Sequence, residues 1–225
     1  MKNVLRLIFW LLLIISAVAS PSQNDSCRQA MAILDDVVSK FTSFQGQFKH
    51  TVYFVSEGAI EIEEGTLFAE KGGKLRWNYS KPEGKVFVSD GKTAWLYLPD
   101  DNRAYKIKIS HKKKLPILAR IFLGEIKPSK EFFCISAEEK VDLIRIELGS
   151  AEKNVAVRRL QVEIDKLTGF FSEISYLDEF DNMMTFNFAG GQSGKTFPKE
   201  TFQFTPPKNA KISEEAEELG EEMGF

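Results

Sequence analysis

The chain is short of the side chains that most chemistry needs. It has two histidines and two cysteines in 225 residues. His50 and His111 stand far apart, and neither has further ligands at metal-binding spacing. No metal and no cofactor are therefore expected. A G-x-S-x-G nucleophile elbow is absent, and no carboxylate pair stands out as an acid and base, so no catalytic residue is assigned. Basic residues are in slight deficit, 30 Lys and Arg against 32 Asp and Glu, for a net charge of −2. That excludes a dedicated nucleic-acid binder. Beyond the N-terminus no apolar run approaches the ~20 residues that span a bilayer. There is no repeat of fixed period, no linker and no internal domain boundary.

What the chain has is phenylalanine. Nineteen Phe stand against five Tyr and three Trp. Most of the aromatic load thus lacks a polar handle, which suits a surface that meets hydrocarbon without asking for hydrogen bonds. A Phe-rich core would use the same residues.

The first residues read as an export signal. Lys2 and Arg6 precede the apolar run Leu7 to Ile15, and Ala17-Val18-Ala19 fits the small-x-small cleavage rule. Residues 1–19 are the expected signal peptide, 20–213 a single domain, and 214–225 an acidic tail. Cys27 follows Asn24-Asp25-Ser26, which is not a lipidation site. Export permits a Cys27–Cys134 disulfide tying the opening helix to a strand of the second half; two buried free thiols fit the sequence equally.

The hydrophobic pattern changes from helical to alternating. Ala30, Ile33, Leu34, Val37, Val38 and Phe41 recur at three and four, with Asp25 or Ser26 to cap the helix. Strands are then predicted over Phe44–Val55, Ile60–Glu70, the region Leu75–Leu98, Ala104–Ile109, Phe132–Ser136, Val141–Leu148, Val157–Ile164, Phe171–Leu177, Met184–Phe188 and Thr201–Phe204. Such a run reads as a mainly β fold, an antiparallel meander closing toward a barrel or half-barrel.

The densest stretch is Leu75 to Leu98. Leu75, Trp77 and Tyr79 alternate with Arg76 and Asn78. Val86-Phe87-Val88 then meets Ala94–Leu98 across Asp90-Gly91, a hairpin signal. Val86, Val88, Trp95 and Tyr97 would share one face, and Phe87, Ala94, Leu96 and Leu98 the other. Both faces are apolar, so something must cover each side, or one side is a greasy cavity. Leu75, Trp77, Val88 and Trp95, with Phe54, Phe68 and Phe186 nearby, are the residues expected to line it.

One segment interrupts the strands. Leu115 to Gly124 fits a short helix, with Pro116 in its first turn and Gly124 at its stop. Leu115, Ile117, Leu118, Ile121 and Phe122 make it apolar almost all round, so it must be buried on most sides. A lid over the mouth of the sheet would satisfy that, as would a plain packing helix. The basic run Lys106, Lys108, Lys112, Lys113 and Lys114 adjoins it; acidic headgroups, an acidic partner or plain solvent could face it. Ala189 to Thr196, A-G-G-Q-S-G-K-T, is a loose phosphate-loop string. Phe197-Pro198 stands where a helix should begin, so a Gly-rich hairpin loop is expected instead. Glu61, Glu63 and Glu64 read as a solvated strand edge.

The pattern K-L-R-W-N-Y-x-x-P followed by V-S-D-G-K-T-x-W-x-Y-x-P resembles the LolA family of periplasmic outer-membrane lipoprotein carriers. Ile164-Asp165 to Thr168-Gly169, Asp178 to Phe188 and Phe202-Gln203-Phe204-Thr205-Pro206-Pro207 resemble its later motifs in the same order. The resemblance covers roughly Met31 to Ser213. It implies a curved antiparallel sheet forming an incomplete barrel, covered by an N-terminal helix and a short helical lid. It also implies acyl chains of lipoproteins as cargo and a location in the periplasm; a lipoprotein- or lipid-sensing binding module, or a carrier of another lipid, on the same scaffold is the alternative. Implied partners are an inner-membrane lipoprotein-releasing ABC transporter as donor and an outer-membrane lipoprotein receptor as acceptor, with no nucleic acid. The chain is expected to act as a monomer and not as an enzyme. The family's lid-latching arginine aligns with Lys71, which lacks the planar fork of Arg. Arg76 is nearby but alternates with Trp77 onto the other face.

Overall fold

The computed structural model describes residues 23–109, 121, 126–151, 157, 159–178 and 180–214. Helix α1 (Gln23–Lys40) opens it and buries Ala30, Leu34 and Val38, one stripe at a spacing of four. It starts ahead of Asp25 and Ser26, which lie inside its first turns and do not cap it.

Alternation then governs the chain. The strands are β1 (Ser43–Phe54), β2 (Ala59–Glu70), β3 (Lys74–Lys81), β4 (Glu83–Asp90), β5 (Thr93–Leu98) and β6 (Arg103–Lys108). After the interruption come the short helix α2 (Pro128–Glu131), β7 (Phe132–Glu139), β8 (Leu143–Ser150), β9 (Arg159–Asp165), β10 (Phe170–Leu177) and β11 (Met183–Ser193). A 3-10 turn (Lys199–Phe202) and β12 (Lys211–Ser213) end the described chain.

These strands form one sheet in the order β12-β6-β5-β4-β3-β2-β1-β11-β10-β9-β8-β7. It is two meanders joined where β1 pairs with β11. Pairing is antiparallel throughout except for β12, which lies parallel to β6. β12 and β7 stand at opposite ends of the order, so the sheet curves but stays open, as an incomplete barrel.

Turn chemistry fixes the central hairpin. Asp90 Oδ1 accepts from the Lys92 and Thr93 N–H groups, both at 2.7 Å. Gly91 has φ of 91°. The central turn residues are therefore Gly91-Lys92, with glycine first as a II′ turn requires, one position later than expected. A Cβ on Gly91 would sit 2.2 Å from the Gly72 carbonyl oxygen. The shift leaves the predicted pairing intact: Val88 opposes Trp95 and Val86 opposes Tyr97.

Two cross-links anchor α1 to the far end of the sheet. Cys27 and Cys134 form a disulfide from α1 to the edge strand β7, with Cα atoms 5.6 Å apart. Asp35 accepts from Ser129 in α2, through N–H at 3.0 Å and Oγ at 2.6 Å.

Two sequence expectations need correction. Thr201–Phe204 is not a strand: the 3-10 turn occupies its start, and the chain continues without ladder pairing to Pro207. Pro198, Pro206 and Pro207 bracket it and remove three ladder donors. Ala189–Ser193 belongs to β11 rather than to a loop, and the turn begins at Gly194, where φ is 77°. No helix follows there for a phosphate to sit on.

Candidate functional site: the inner face of the sheet

Register partners in an antiparallel sheet share a face, so the pairing sorts the side chains. Leu67 opposes Trp77, Trp77 opposes Phe87, and Phe87 opposes Leu96. On the other flank His50 opposes Phe186, and Phe186 opposes Ile174. All of these face inward and are buried. Among the expected cavity residues, Leu75, Trp77 and Phe186 are on this face, at 2 %, 2 % and 1 % exposure. Phe54 is on it too, half-buried at the end of β1.

The rings interlock. Phe48 meets Trp77 edge-on at 4.5 Å and Tyr79 at 5.1 Å, and Trp77 meets Phe186 at 5.7 Å. Edge-to-face contacts of this kind add about 0.5–1.5 kcal/mol each beyond area burial. α1 closes over the other half. Leu34, Val38 and Ile121 bound a residual apolar pocket of about 10 Å³ with β8, β9 and β10, room for about one water.

Phe68, Val88 and Trp95 do not line this interior. Each follows an inward residue by one position, so each points to the outer face. Val88 is nevertheless only 1 % exposed, because the C-terminal segment covers it. Phe197 packs on Phe68 at 5.7 Å, and Phe204 packs on Trp95 and Tyr97 at 6.1 and 6.0 Å. Arg76 clamps the segment by donating to the Thr201 and Gln203 carbonyls, both at 3.2 Å. The two apolar faces of the hairpin thus have different covers, and the seven residues split between them.

Of the lid residues, Ile121 is described and is 5 % exposed against Leu34 and Val38. Leu115, Ile117, Leu118 and Phe122 lie outside the described residues, as do Lys112, Lys113 and Lys114. Lys71 is exposed in the β2–β3 turn, and its Nζ donates to the Ser39 carbonyl at the end of α1 at 3.4 Å.

One polar row crosses the inner face, and the sequence reading missed it. Glu63 is not a solvated edge residue. Lys85 Nζ donates to its Oε1 at 2.7 Å, and His50 Nδ1 lies 3.2 Å from its Oε2. His50 stacks on Phe186 at 4.0 Å, and Lys85 lies over the Tyr79 ring at 4.8 Å. Burial alone would raise the Glu63 carboxyl; the His50 hydrogen bond and the Lys85 charge outweigh it and hold the group below its ordinary value. Burial, reinforced by the Glu63 charge, pushes the Tyr79 phenol well up. The available signal was parity: Lys85 shares a face with Phe87, and Glu63 with Leu67. Tyr176 is a second inward polar group, its hydroxyl buried and without a hydrogen-bond partner among the described residues. Among those residues no cluster of His, Cys, Asp and Glu is placed to hold a metal ion.

Known proteins match this architecture along nearly its whole length. An outer-membrane lipoprotein carrier protein of Nitrosomonas europaea is 24% identical over 208 residues, covering 92% of this chain and 98% of that protein. Its counterpart in Chromobacterium violaceum is 25% identical over 203 residues, covering 88% and 92%. The crystal structure of an uncharacterized conserved protein from Thermus thermophilus shares the fold, with a TM-score of 0.53 at 13% identity over 84% of this chain and 99% of that one. The profile of the family described as outer membrane lipoprotein carrier protein LolA matches residues 39–205. A match that runs from the end of α1 through the C-terminal cover means that this chain belongs to the LolA family.

Proposed function

We propose that this chain is an exported carrier that holds the acyl chains of lipoproteins against the inner face of its sheet. It ferries them across the periplasm from an inner-membrane lipoprotein-releasing ABC transporter to an outer-membrane lipoprotein receptor. The observation that carries the reading is the inner face itself: a largely apolar surface from Leu96 to Ile146, crossed by the His50–Glu63–Lys85 row and covered over β8, β9 and β10 by α1 and Ile121. Family membership supports it.

The physics of such a carrier is differential burial. An acyl chain gains about 0.8 kcal/mol per CH₂ on leaving water, so it needs a container in transit. Where α1 packs on β8, β9 and β10 the packing is close, and the apolar pocket there is about 10 Å³. Ligand sites are ordinarily about 300–1,000 Å³. Loading at that end then requires side chains of the inner face to give way, and the lid in this reading is the segment carrying Leu115, Ile117, Leu118, Ile121 and Phe122. That refilling gives the protein a way to let go, because the emptied interior repacks on itself. No bond is made or broken, so neither nucleophile nor nucleotide takes part.

Uptake of a fluorescent diacylated lipopeptide by the purified protein tests this. Leu75→Glu and the milder Phe54→Glu should weaken uptake, Phe54→Glu with little change in melting temperature. No uptake by the parent, or equal uptake by a folded Phe54→Glu variant, would sink the reading.

A further inference from the structure

Three adjacent strands end in exposed apolar side chains on the outer face. Tyr53 on β1 lies directly opposite Ile60 on β2 and Met183 on β11. Their exposures are 42%, 62% and 40%, and the turns beside them add Val55 at 51% and Phe180 at 73%. The two turns are tied together. The Val55 N–H donates to Asn182 Oδ1 at 3.1 Å, and Asp178 Oδ1 accepts from the Phe180 and Asn182 N–H groups, both at 2.8 Å. Phe180 is thus held out on an ordered turn. Two rows further along the same face the register reads Glu64, Lys49 and Asn187. The apolar side chains are gathered at one end. Single exposed hydrophobics need no explanation; five large ones side by side mark an interaction surface.

The charged residues described in the two turns of this tip are all acidic. No Lys or Arg occurs from His50 to Gly72 except Lys71, and none from Leu167 to Gly194. Glu57 stands in one turn, and Asp178 and Asp181 in the other. The bases nearest by register are Lys49, two rows from Tyr53 on the same face and opposite Glu64, Lys81, on the other side of Glu64, and Arg159, opposite Leu177. Arg159 is already ion-paired with Glu147 at 3.2 Å. An acidic margin is repelled by anionic phospholipid surfaces. A second copy would set acidic turns against acidic turns. A protein face with an apolar centre and a basic rim is complementary in both respects.

We propose that the tip formed by Tyr53, Ile60 and Met183, with Val55 and Phe180, is a docking face for a protein partner whose own patch is apolar and rimmed by Lys and Arg. Docking here is independent of lipid carriage, and its test needs no cargo. The test is photo-cross-linking in intact cells of the native host, with Ile60→p-benzoylphenylalanine and Phe180→p-benzoylphenylalanine as probes. Gln47→p-benzoylphenylalanine, on the same face outside the tip, is the control. Both tip probes should give one discrete protein adduct that the control lacks. Its yield should fall about tenfold when Glu57→Lys and Asp181→Asn are added, the equivalent of about 1.4 kcal/mol. The cross-linked peptide of the partner should carry Lys or Arg beside apolar residues. Absence of a discrete adduct, an adduct to lipid or to a second copy, or a yield indifferent to the charge changes would overturn the proposal. Failure of lipopeptide uptake would overturn the carrier reading alone.

Discussion

Opening the Cys27–Cys134 bridge is a perturbation whose size can be worked from the fold. The bridge joins positions separated by 107 residues. Closing a loop of about 100 residues removes about 4.7 kcal/mol of unfolded-chain entropy at 25 °C in the chain-entropy treatment. That is a large share of the roughly 5–15 kcal/mol by which a domain is folded. Little of it should be offset in the native state. α1 is also held by Leu34 and Val38, each worth about 1.5–3 kcal/mol when fully buried, and by the Asp35–Ser129 contacts. The helix should therefore stay docked, and the loss should act through the unfolded chain. The paired substitution Cys27→Ser with Cys134→Ser should lower stability in guanidinium unfolding by about 3–5 kcal/mol. The slope should steepen, because an uncrossed chain exposes more surface on unfolding. A loss under about 1 kcal/mol with an unchanged slope would refute the reasoning.

The inner polar row gives a prediction with a pH signature. Glu63→Gln takes the carboxylate from buried Lys85 and should cost about 3–5 kcal/mol in urea unfolding. Because the folded Glu63 titrates below its ordinary 4.5, its contribution is present above that pH and fades as the pH falls through the lower folded value. Stability of the parent should therefore drop on acidification below about pH 4.5 by a component that Glu63→Gln lacks. Arg76→Ala should cost about 1.5–3 kcal/mol by releasing the Thr201 and Gln203 carbonyls, and should speed proteolysis of the C-terminal segment while leaving lipopeptide uptake unchanged. Trp77→Ala should cost about 3–5 kcal/mol in the same unfolding assay and should also alter uptake, since Trp77 sits where three aromatic contacts meet.

Much of the fold is legible in the sequence because the strands carry their own period. Leu75, Trp77 and Tyr79 alternate so cleanly that their common face follows from spacing, and the pairing of Val88 with Trp95 follows from the short turn. The site was half legible. That both faces of the hairpin are apolar can be read from Val86 to Leu98; which cover belongs to which face cannot. The outer cover comes from Phe197 and Phe204, over a hundred residues away, and no local pattern announces such a contact. The same limit hid the Glu63 row. His50, Glu63 and Lys85 meet only because β1, β2 and β4 are brought together with β3 between β2 and β4, and a Glu in a strand more often faces water. The disulfide was undecided for the same reason, since two distant cysteines do not state their separation in space.

Native mass spectrometry of the protein taken from the envelope of its own host would reach furthest. Released gently and kept free of detergent, a fraction of the molecules should carry one acylated polypeptide each. The bound fraction should disappear in a folded Phe54→Glu variant and persist in Arg76→Ala, whose change lies on the outer face. A protein that emerges with its interior empty in every preparation, or with a ligand that bears no acyl chain, would contradict a carrier of lipoproteins.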